Sequence, residues 1–276
     1  MKNRVLLIFS ILIINFLYSE DFDGLTFVDN TFKPILQKSI SFNNGELEYK
    51  IDNDGEIDKW TEPYRIDRSS GLTYILIGKN SKKWLCLFSD SYIIMYDSDS
   101  KPFFLGNNIE KNYLSDSLSF GEKYFRSTSY LSEETKKGKI EYSSTNLGIN
   151  SLPSPWVEGV PGNGIGEKIY IDVKKTEDYS EKYIVLSNGY VSYSRSDLFR
   201  KNNRIKKIRL QDIESGNYRD INIKDTSDFC IIPLYDIIRS DGVIIEILDV
   251  YPGTQYNDTC INFIGIGKIE IDRYKG

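Results

Sequence analysis

The sequence predicts an all-β protein in two parts, and three observations favour this fold class. The 276 residues include 20 Tyr and 14 Phe but only 2 Met, a composition typical of strands. Short apolar runs alternate with turns that contain Gly, Asn, Asp or Ser about every ten residues. Hydrophobic residues make up 40% and charged residues 27% of the chain, which excludes wholesale disorder. We therefore expect a small antiparallel β-domain followed by a β-sandwich or jelly roll.

The N-terminus has the pattern of a secretory signal peptide. Lys2 and Arg4 precede an apolar run from Val5 to Tyr18, and Ser19 is a small residue at the cleavage position. The run is about 14 residues, shorter than the ~20 needed to span a bilayer, although an uncleaved anchor is the alternative. Residues 1–19 are thus predicted to be removed, which gives a secreted or periplasmic protein with no membrane span.

The charge balance argues against nucleic acid as a partner. Of 35 basic residues, two lie in the signal peptide, which leaves 33 basic against 40 acidic residues and a net charge of −7. An acidic chain without a basic block does not attract a phosphate backbone.

The histidine and cysteine content excludes several kinds of site. Histidine is absent, so Ser-His-Asp and Cys-His catalysis and His-containing metal sites are excluded. Cys86, Cys230 and Cys260 form no C-x-x-C motif, and we expect neither a metal nor a cofactor. An exported chain permits a disulfide between Cys230 and Cys260, which open two predicted strands, but we favour two buried free thiols.

Residues 20–120 are predicted to form the small β-domain. Alternation is weak over residues 22–42 and becomes clear afterwards. The predicted strands are Glu46–Ile51, Leu72–Ile77, Trp84–Phe88, Tyr92–Tyr96 and Pro102–Gly106. Asp52-Asn-Asp-Gly55 does not have EF-hand spacing and is interpreted as an Asp-Gly turn between strands. We find no chemistry in this domain.

A polar stretch over residues 107–138 separates the two parts, and we place the domain boundary near residue 120. Residues 121–276 carry the second series of short strands. The predicted strands are 124–130, 167–173, 182–186, 204–210, 219–223, 230–234, 242–250 and 260–271. This spacing predicts a β-sandwich or jelly roll.

The most distinctive stretch of the chain is the loop Ser154–Glu167, which contains four glycines and leads into a predicted strand. Such density of glycine permits positive φ and close approach of the backbone to another group. The loop lacks the final spacing of G-x-G-x-x-G and enters a strand instead of a helix. Both facts exclude a phosphate-binding motif.

Four ordered motifs of the second domain resemble a known family. They are Pro155–Glu167, Leu186–Tyr190, Asn203–Leu210 and Asp249–Ile261. Over about residues 122–273 the chain is similar to the bacterial NADase-type glycan-binding domain. The resemblance implies a discoidin-like, or galactose-binding-like, jelly-roll β-sandwich that binds carbohydrate without catalysis. Ile205 replaces an expected proline, and Asn262-Phe263 replaces an expected Ser-Glu. NAD hydrolysis is not implied, because nothing resembles the NAD-cleaving domain of the toxins that name the family.

The same motifs contain the residue types of a sugar site, where aromatic plates contact C–H faces and polar groups bind hydroxyls. The predicted glycan-binding residues are Trp156, Glu158, Asn188, Tyr190, Asn203, Arg204 and Asp258. Each also has a structural alternative. The Trp side chain is also suited to the core, and Asn188 to a tight turn with Gly189. Glu158 and Arg204 could satisfy each other, and Asp258 could cap a turn.

Three functions remain open at this stage. The first is a non-enzymatic glycan-binding protein of the bacterial envelope or exterior. The second is a structural or adhesion protein that binds another protein through the loop face of the sandwich. The third is a glycosidase with Glu158 and Glu167 as its carboxylate pair, which the nine-residue separation in a loop disfavours. We predict the first, with no enzymatic activity.

Overall fold

The computed structural model describes residues 22–32, 36–108, 125–136, 138–149, 152–172, 181–234 and 242–269. The predicted signal peptide and the predicted boundary near residue 120 lie outside these ranges and stay predictions. Within them the chain is almost entirely β, as the sequence predicts. No helix of the described residues has the length and apolar character needed to cross a membrane.

The first unit is a closed barrel of eight antiparallel strands in chain order, in which β1 pairs with both β2 and β8. Its strands are β1 (Thr26–Phe32), β2 (Leu36–Asn43), β3 (Glu46–Asn53), β4 (Glu56–Asp67), β5 (Thr73–Ile77), β6 (Lys82–Phe88), β7 (Tyr92–Tyr96) and β8 (Pro102–Asn108). The predicted Asp-Gly turn joins β3 to β4, with positive φ at Asp54 and Gly55. Closure removes most free strand edges.

Apolar side chains fill the barrel, because every second residue of each strand faces inward. Phe27, Phe42, Ile75, Met95 and Phe104 are among the buried residues of this cluster. Residues 22–42, where alternation is weak in sequence, supply its first two strands. Their pattern is hard to recognise in isolation because only some of the inward positions are strongly apolar.

The second unit is the predicted β-sandwich, and it holds eleven further strands. They are β9 (Phe125–Ser127), β10 (Ser132–Thr135), β11 (Gly138–Glu141), β12 (Trp156–Val157), β13 (Lys168–Asp172), β14 (Glu181–Asn188), β15 (Asn203–Asp212), β16 (Tyr218–Asn222), β17 (Cys230–Pro233), β18 (Gly242–Tyr251) and β19 (Thr259–Ile269). A 3-10 helix (Ser144–Gly148) and a short helix, α1 (Asp197–Lys201), complete the unit. The hairpin of β10 and β11 lies in the stretch that the sequence suggested to be a polar connection.

The main sheet follows the order β17-β14-β19-β15-β18-β13-β9, and a short parallel contact of β15 with β19 joins its two halves. An apolar cluster lies between the halves and includes Trp156, Ile184, Ile208, Ile245 and Ile264. Side chains of β14, β17 and β19 therefore pack against those of β13, β15 and β18, as in a β-sandwich.

The two units share a third apolar cluster. β14 contributes Ile184 and Leu186 to the sandwich core, whereas Tyr183 and Val185 on its other face pack with barrel residues. This double burial explains why the run Tyr183–Leu186 is apolar at consecutive positions. The shared cluster comprises Leu72, Tyr74, Leu85, Leu87, Tyr92, Ile94 and Tyr96 of the barrel with Leu152, Tyr183, Val185, Val191, Phe199, Phe229 and Phe263 of the sandwich.

Hydrogen bonds fix the position of the barrel on the sandwich. The Tyr92 and Tyr183 hydroxyls bond to each other, and the Phe229 amide donates to the Phe88 carbonyl at 2.8 Å. The Tyr193 hydroxyl donates to the Lys83 carbonyl at 2.6 Å. The barrel thus covers one face of the sandwich and also contacts the segment that follows β14, through Tyr193, Val191 and Phe199.

Candidate functional site

All the predicted site residues lie at or near one end of the sandwich. β12, β14 and β18 end there, and β15 and β19 begin there, as the pairings Val157–Cys260, Asn188–Ile261 and Arg204–Tyr251 show. The glycine-rich loop, the segment 189–202 and the segment 252–258 therefore meet at this end. Motifs separated by up to about a hundred residues in sequence are brought together by strand pairing.

Trp156 belongs to the sandwich core. Its side chain is 0% exposed and packs within the main apolar cluster. The indole Nε1 donates to the Ser129 carbonyl at 3.0 Å, which satisfies its one polar group. Because the ring presents no face to solvent, the structural alternative describes Trp156, and the predicted stacking on a ligand is not supported by its position.

Glu158 is also enclosed, with only 1% of its surface exposed. Its Oε2 accepts from the Val160 amide at 2.8 Å, whereas Oε1 has no partner among the described residues. Gly164, at φ +67°, packs against the Glu158 side chain; a Cβ there would lie 2.7 Å from Cγ. Burial raises the pKa of the Glu158 carboxyl, and the negative charges of Asp258 and Glu167 raise it further. The glycine-rich loop thus folds around this carboxyl group.

Two buried asparagines connect the loops to the sheet. The Asn188 side chain bonds both backbone groups of Ile205, as a residue of a neighbouring strand would. Its Nδ2 donates to the Ile205 carbonyl at 2.7 Å, and its Oδ1 accepts from the Ile205 amide at 2.9 Å. Asn203 donates to the Asn257 carbonyl and accepts from the Gly253 amide at 2.6 Å. Both amides are occupied internally, so they position loops and have no polar group directed at solvent.

Arg204 forms an ion pair in which its own guanidinium is buried and the partner carboxylate is exposed, and that partner is Asp225 and not Glu158. Nε and Nη2 of the guanidinium each lie 2.9 Å from a carboxylate oxygen of Asp225. Nη1 donates to the carbonyls of Asn202 at 2.8 Å and Pro252 at 3.2 Å. These bonds use most of its donors, so Arg204 holds the end of the sandwich together. No local pattern in the sequence indicated Asp225, which lies in a polar turn.

Tyr190 and Asp258 are the two predicted residues that remain partly exposed. The rings of Tyr190 and Tyr142 form an edge-to-face pair with centroids 6.3 Å apart. The Tyr142 hydroxyl donates to Glu133 at 3.3 Å. Burial raises the pKa of the Tyr190 hydroxyl, and burial followed by the charge of Glu133 raises the pKa of Asp258. We call these four residues, Glu133, Tyr142, Tyr190 and Asp258, the tyrosine face.

The predicted residues thus divide into two groups. Trp156, Glu158, Asn188, Asn203 and Arg204 are buried and build the framework of the loops, whereas Tyr190 and Asp258 lie at its surface. Sequence reasoning missed Tyr142 and Glu133, because they lie on the polar hairpin before the glycine-rich loop. Among the described residues, no group of three or more His, Cys, Asp or Glu is placed to hold a metal.

The possible disulfide between Cys230 and Cys260 is not formed, and all three cysteines are free thiols. Cys230 pairs across β14 with Leu186, whereas Cys260 lies on β19, on the opposite side of β14. Strands two positions apart are separated by about 9–10 Å, and a disulfide requires Cα atoms within about 7 Å. Cys86 is buried in the barrel.

Comparison with known families agrees with this geometry. Residues 120–267 match the model of the NAD glycohydrolase translocation F5/8 type C domain, which covers more than half of the chain. The chain belongs to this family. An F5/8 type C domain has the discoidin-like fold, so the predicted discoidin-like sandwich is confirmed. The family is compatible with a binding role or with one associated with translocation.

Solved structures add little to the F5/8 type C assignment. Arabinofuranosyltransferase AftD from Mycobacteria aligns with 51% of this chain and 10% of its own, at 9% identity and a TM-score of 0.32. This chain spans only about a tenth of that protein. A DNA polymerase III β subunit from Thermotoga maritima aligns with 91% of this chain and 92% of its own, at 8% identity and a TM-score of 0.13. Such scores support no inference. No curated protein matches the chain.

Proposed function

We propose that this protein is exported and binds glycans without catalysis, through the tyrosine face. The observation that carries this proposal is the Tyr142–Tyr190 ring pair beside the partly exposed carboxyl of Asp258. Sugars offer apolar C–H faces and hydroxyl groups, which are suited to aromatic rings and fixed acceptors, respectively. The sequence resemblance to a glycan-binding domain supports the same ligand class.

The buried polar framework gives the tyrosine face a defined shape. The Asn203 side chain holds the segment next to Asp258 through hydrogen bonds to residues 253 and 257. The backbone amide of Asn203 also donates to the Asp258 carbonyl at 2.9 Å. The Tyr142 amide donates to the Leu131 carbonyl at 2.9 Å, which fixes the base of the hairpin. A surface held in this way loses little conformational entropy when a ligand binds.

The charges of the face favour neutral or amino sugars over acidic ones. Glu133 and Asp258 lie close enough for Glu133 to raise the pKa of the Asp258 carboxyl, after the larger effect of burial. Two neighbouring carboxylates repel a sialic acid or sulfate group and attract a protonated amine. We therefore expect binding of neutral and N-deacetylated sugars.

The absence of catalysis is supported by the environment of the carboxylates considered for a glycosidase. Glu158 is enclosed by the glycine-rich loop. Glu167 accepts hydrogen bonds from the Thr128 hydroxyl at 2.7 Å and the Ser129 hydroxyl at 2.5 Å. Neither carboxyl group is free to act on a sugar bound at the surface. Export rests on the signal-peptide pattern of residues 1–19.

A glycan array probed with the mature chain, from residue 20 onward, tests the proposal. We expect hits of micromolar to millimolar strength, or about −4 to −8 kcal/mol, that free sugar competes away. Tyr190→Ala and Asp258→Asn should each abolish these hits without a change in melting temperature. Tyr218→Ala is the matched control, because Tyr218 is exposed on β16 and pairs with Gln211, away from the tyrosine face.

Two results would contradict the proposal. Equal binding of every wild-type ligand by both variants would place the site elsewhere. Capture of a protein that free sugar does not compete away would instead favour the structural or adhesion function.

A further inference from the structure

β4 is longer than β5, its neighbour in the barrel, and part of β4 has no partner on that side among the described residues. Residues 64–67 pair with β5, whereas residues 56–63 pair only with β3 among the described residues. The hairpin of β3 and β4 therefore projects from the barrel. β2 pairs with its β3 side, and residues 56–63 of β4 form its outer edge. All eight of these residues are exposed.

The backbone orientation along this edge follows from two hydrogen bonds. The Tyr64 amide donates to the Gly45 carbonyl at 3.0 Å, so residue 64 faces β3. The Pro63 carbonyl accepts from the Gly78 amide at 2.9 Å, so residue 63 faces the opposite side. Because the direction alternates along an antiparallel strand, the amides and carbonyls of Ile57, Lys59 and Thr61 point away from β3. They form no hydrogen bond among the described residues.

The edge combines two exposed apolar side chains with four charged residues, Glu56, Asp58, Lys59 and Glu62, and with Pro63. Trp60 is 45% and Ile57 54% exposed, and the Trp60 ring packs on Tyr49 of β3 with centroids 4.4 Å apart. Protected edges carry charges, especially lysine. The one lysine of this edge, Lys59, is held by Glu48 at 2.6 Å. Trp60 and Ile57 are thus exposed on opposite faces of β4, beside backbone groups that form no hydrogen bond within the described part of the chain.

The charge of the hairpin determines which kind of strand it can accept. Residues 46–63 hold seven acidic and two basic residues, a net charge of −5. A second copy of this hairpin would bring the same negative charge and is repelled. A segment with alternating lysine or arginine would be attracted, and its apolar side chains, which share one face, could lie beside Trp60.

We propose that the free edge of β4 binds an extended, positively charged polypeptide segment of a partner protein by strand addition. The partner strand lies antiparallel to β4 and pairs with the backbone groups of Ile57, Lys59 and Thr61. This interaction is separate from the tyrosine face, which lies on the sandwich.

A peptide of alternating Lys and Val with blocked ends is the probe, and a matched Glu and Val peptide is its control. In fluorescence polarisation with the mature chain, we expect the Lys peptide to bind and the Glu peptide to bind at least tenfold more weakly. Higher salt should weaken binding of the Lys peptide. In hydrogen exchange, the amides of Ile57, Lys59 and Thr61 should become protected when the Lys peptide is added.

Thr61→Pro separates strand addition from general charge attraction. It removes one outward amide and keeps every bond to β3, so the melting temperature should not change. Binding of the Lys peptide should fall at least tenfold, whereas Thr61→Val, which keeps the amide, should bind as wild type. Equal binding by Thr61→Pro and wild type, no binding of the Lys peptide, or equal binding of both peptides would each overturn the proposal.

Discussion

The barrel and the sandwich use buried polar groups in different ways. Among its described residues the barrel buries four polar side chains, Asp29, Thr73, Ser91 and Asn108, and its closed ring of strands pairs most backbone groups with each other. The sandwich instead buries Asn188, Asn203 and Arg204 at the end where its loops meet. Loops cannot pair their backbone groups with each other as strands do, so buried side chains supply the missing partners.

This difference shows why the family motifs cluster in the sandwich. The conformations of residues 158–167 and 252–258 depend on single side chains that bond to named backbone atoms, so few substitutions preserve them. The barrel interior depends on volume and apolar character, which many residue combinations provide. A recognisable sequence motif is therefore expected where polar side chains hold loops in place. Such a motif indicates residues that support the loops as much as residues that contact a ligand.

The largest expected effect concerns the cluster shared by the two units. A chain truncated to residues 109–276 exposes the seven sandwich residues of that cluster. Their exposure costs on the order of 10 kcal/mol, which is as large as the total stability of a typical domain. We expect this fragment to aggregate, as measured by size-exclusion chromatography. Co-production of a separate chain of residues 20–108 should restore a soluble complex. A monomeric fragment with a cooperative melt would show that the sandwich is independent of the barrel.

The second prediction compares one polar pair with one apolar core position. Asp225→Ala removes an exposed carboxylate that pairs with a buried guanidinium and should cost about 1–3 kcal/mol of unfolding free energy, because water can partly replace the carboxylate. Met95→Leu in the barrel nearly conserves volume and should cost less than about 1.5 kcal/mol. Urea denaturation of both variants measures the difference. Equal losses of unfolding free energy would mean that carbonyl groups alone provide enough hydrogen bonds for the Arg204 guanidinium. The difference in buried polar groups between the two units would then have no effect on stability.

The third prediction concerns two acids with opposite pKa shifts. Burial raises the pKa of Glu158 above 4.5, so the stability it contributes is complete below that value and is lost as the pH rises through the raised pKa. Hydrogen bonds from Ser69 lower the pKa of Asp67 below 3.8, so its contribution is present above that value and is lost as the pH falls.

Unfolding free energies measured from pH 2 to pH 8 test both shifts. Relative to Glu158→Gln, the wild type should lose stability as the pH rises; relative to Asp67→Asn, it should lose stability as the pH falls. Subtracting a variant cancels the contribution of the other carboxyl groups. Parallel curves for wild type and Glu158→Gln would show that the glycine-rich loop does not perturb this carboxyl.

The smallest expected effect concerns the thiols. Burial raises the pKa of all three, but Cys86 and Cys260 are fully buried and Cys230 is partly exposed. Iodoacetamide at pH 8 should modify Cys230 first, and mass mapping of the peptides identifies the site. Cys230→Ser should cost only about 1 kcal/mol. Faster modification of Cys86 would indicate that the barrel opens more readily than the sandwich.

The sequence by itself determined the strands with clear alternation, the Asp54-Gly55 turn and the discoidin-like class of the second unit. These features depend on local periodicity, on residues that tolerate positive φ, or on motifs that can be compared directly. Predicted strands such as Leu72–Ile77 and Gly242–Val250 agree with β5 and β18 within one residue at each end.

Only the tertiary structure decided which side chains are available to a ligand. Two of the family motifs differ in this respect: Trp156 of the first lies in the core, whereas Tyr190 of the second lies at the surface. Arg204 pairs with Asp225, which no local pattern indicates. Closure of the barrel and the burial of both faces of β14 likewise depend on contacts between distant segments. Sequence spacing specifies the direction of a side chain from its strand, but its exposure depends on what the rest of the chain packs against that face.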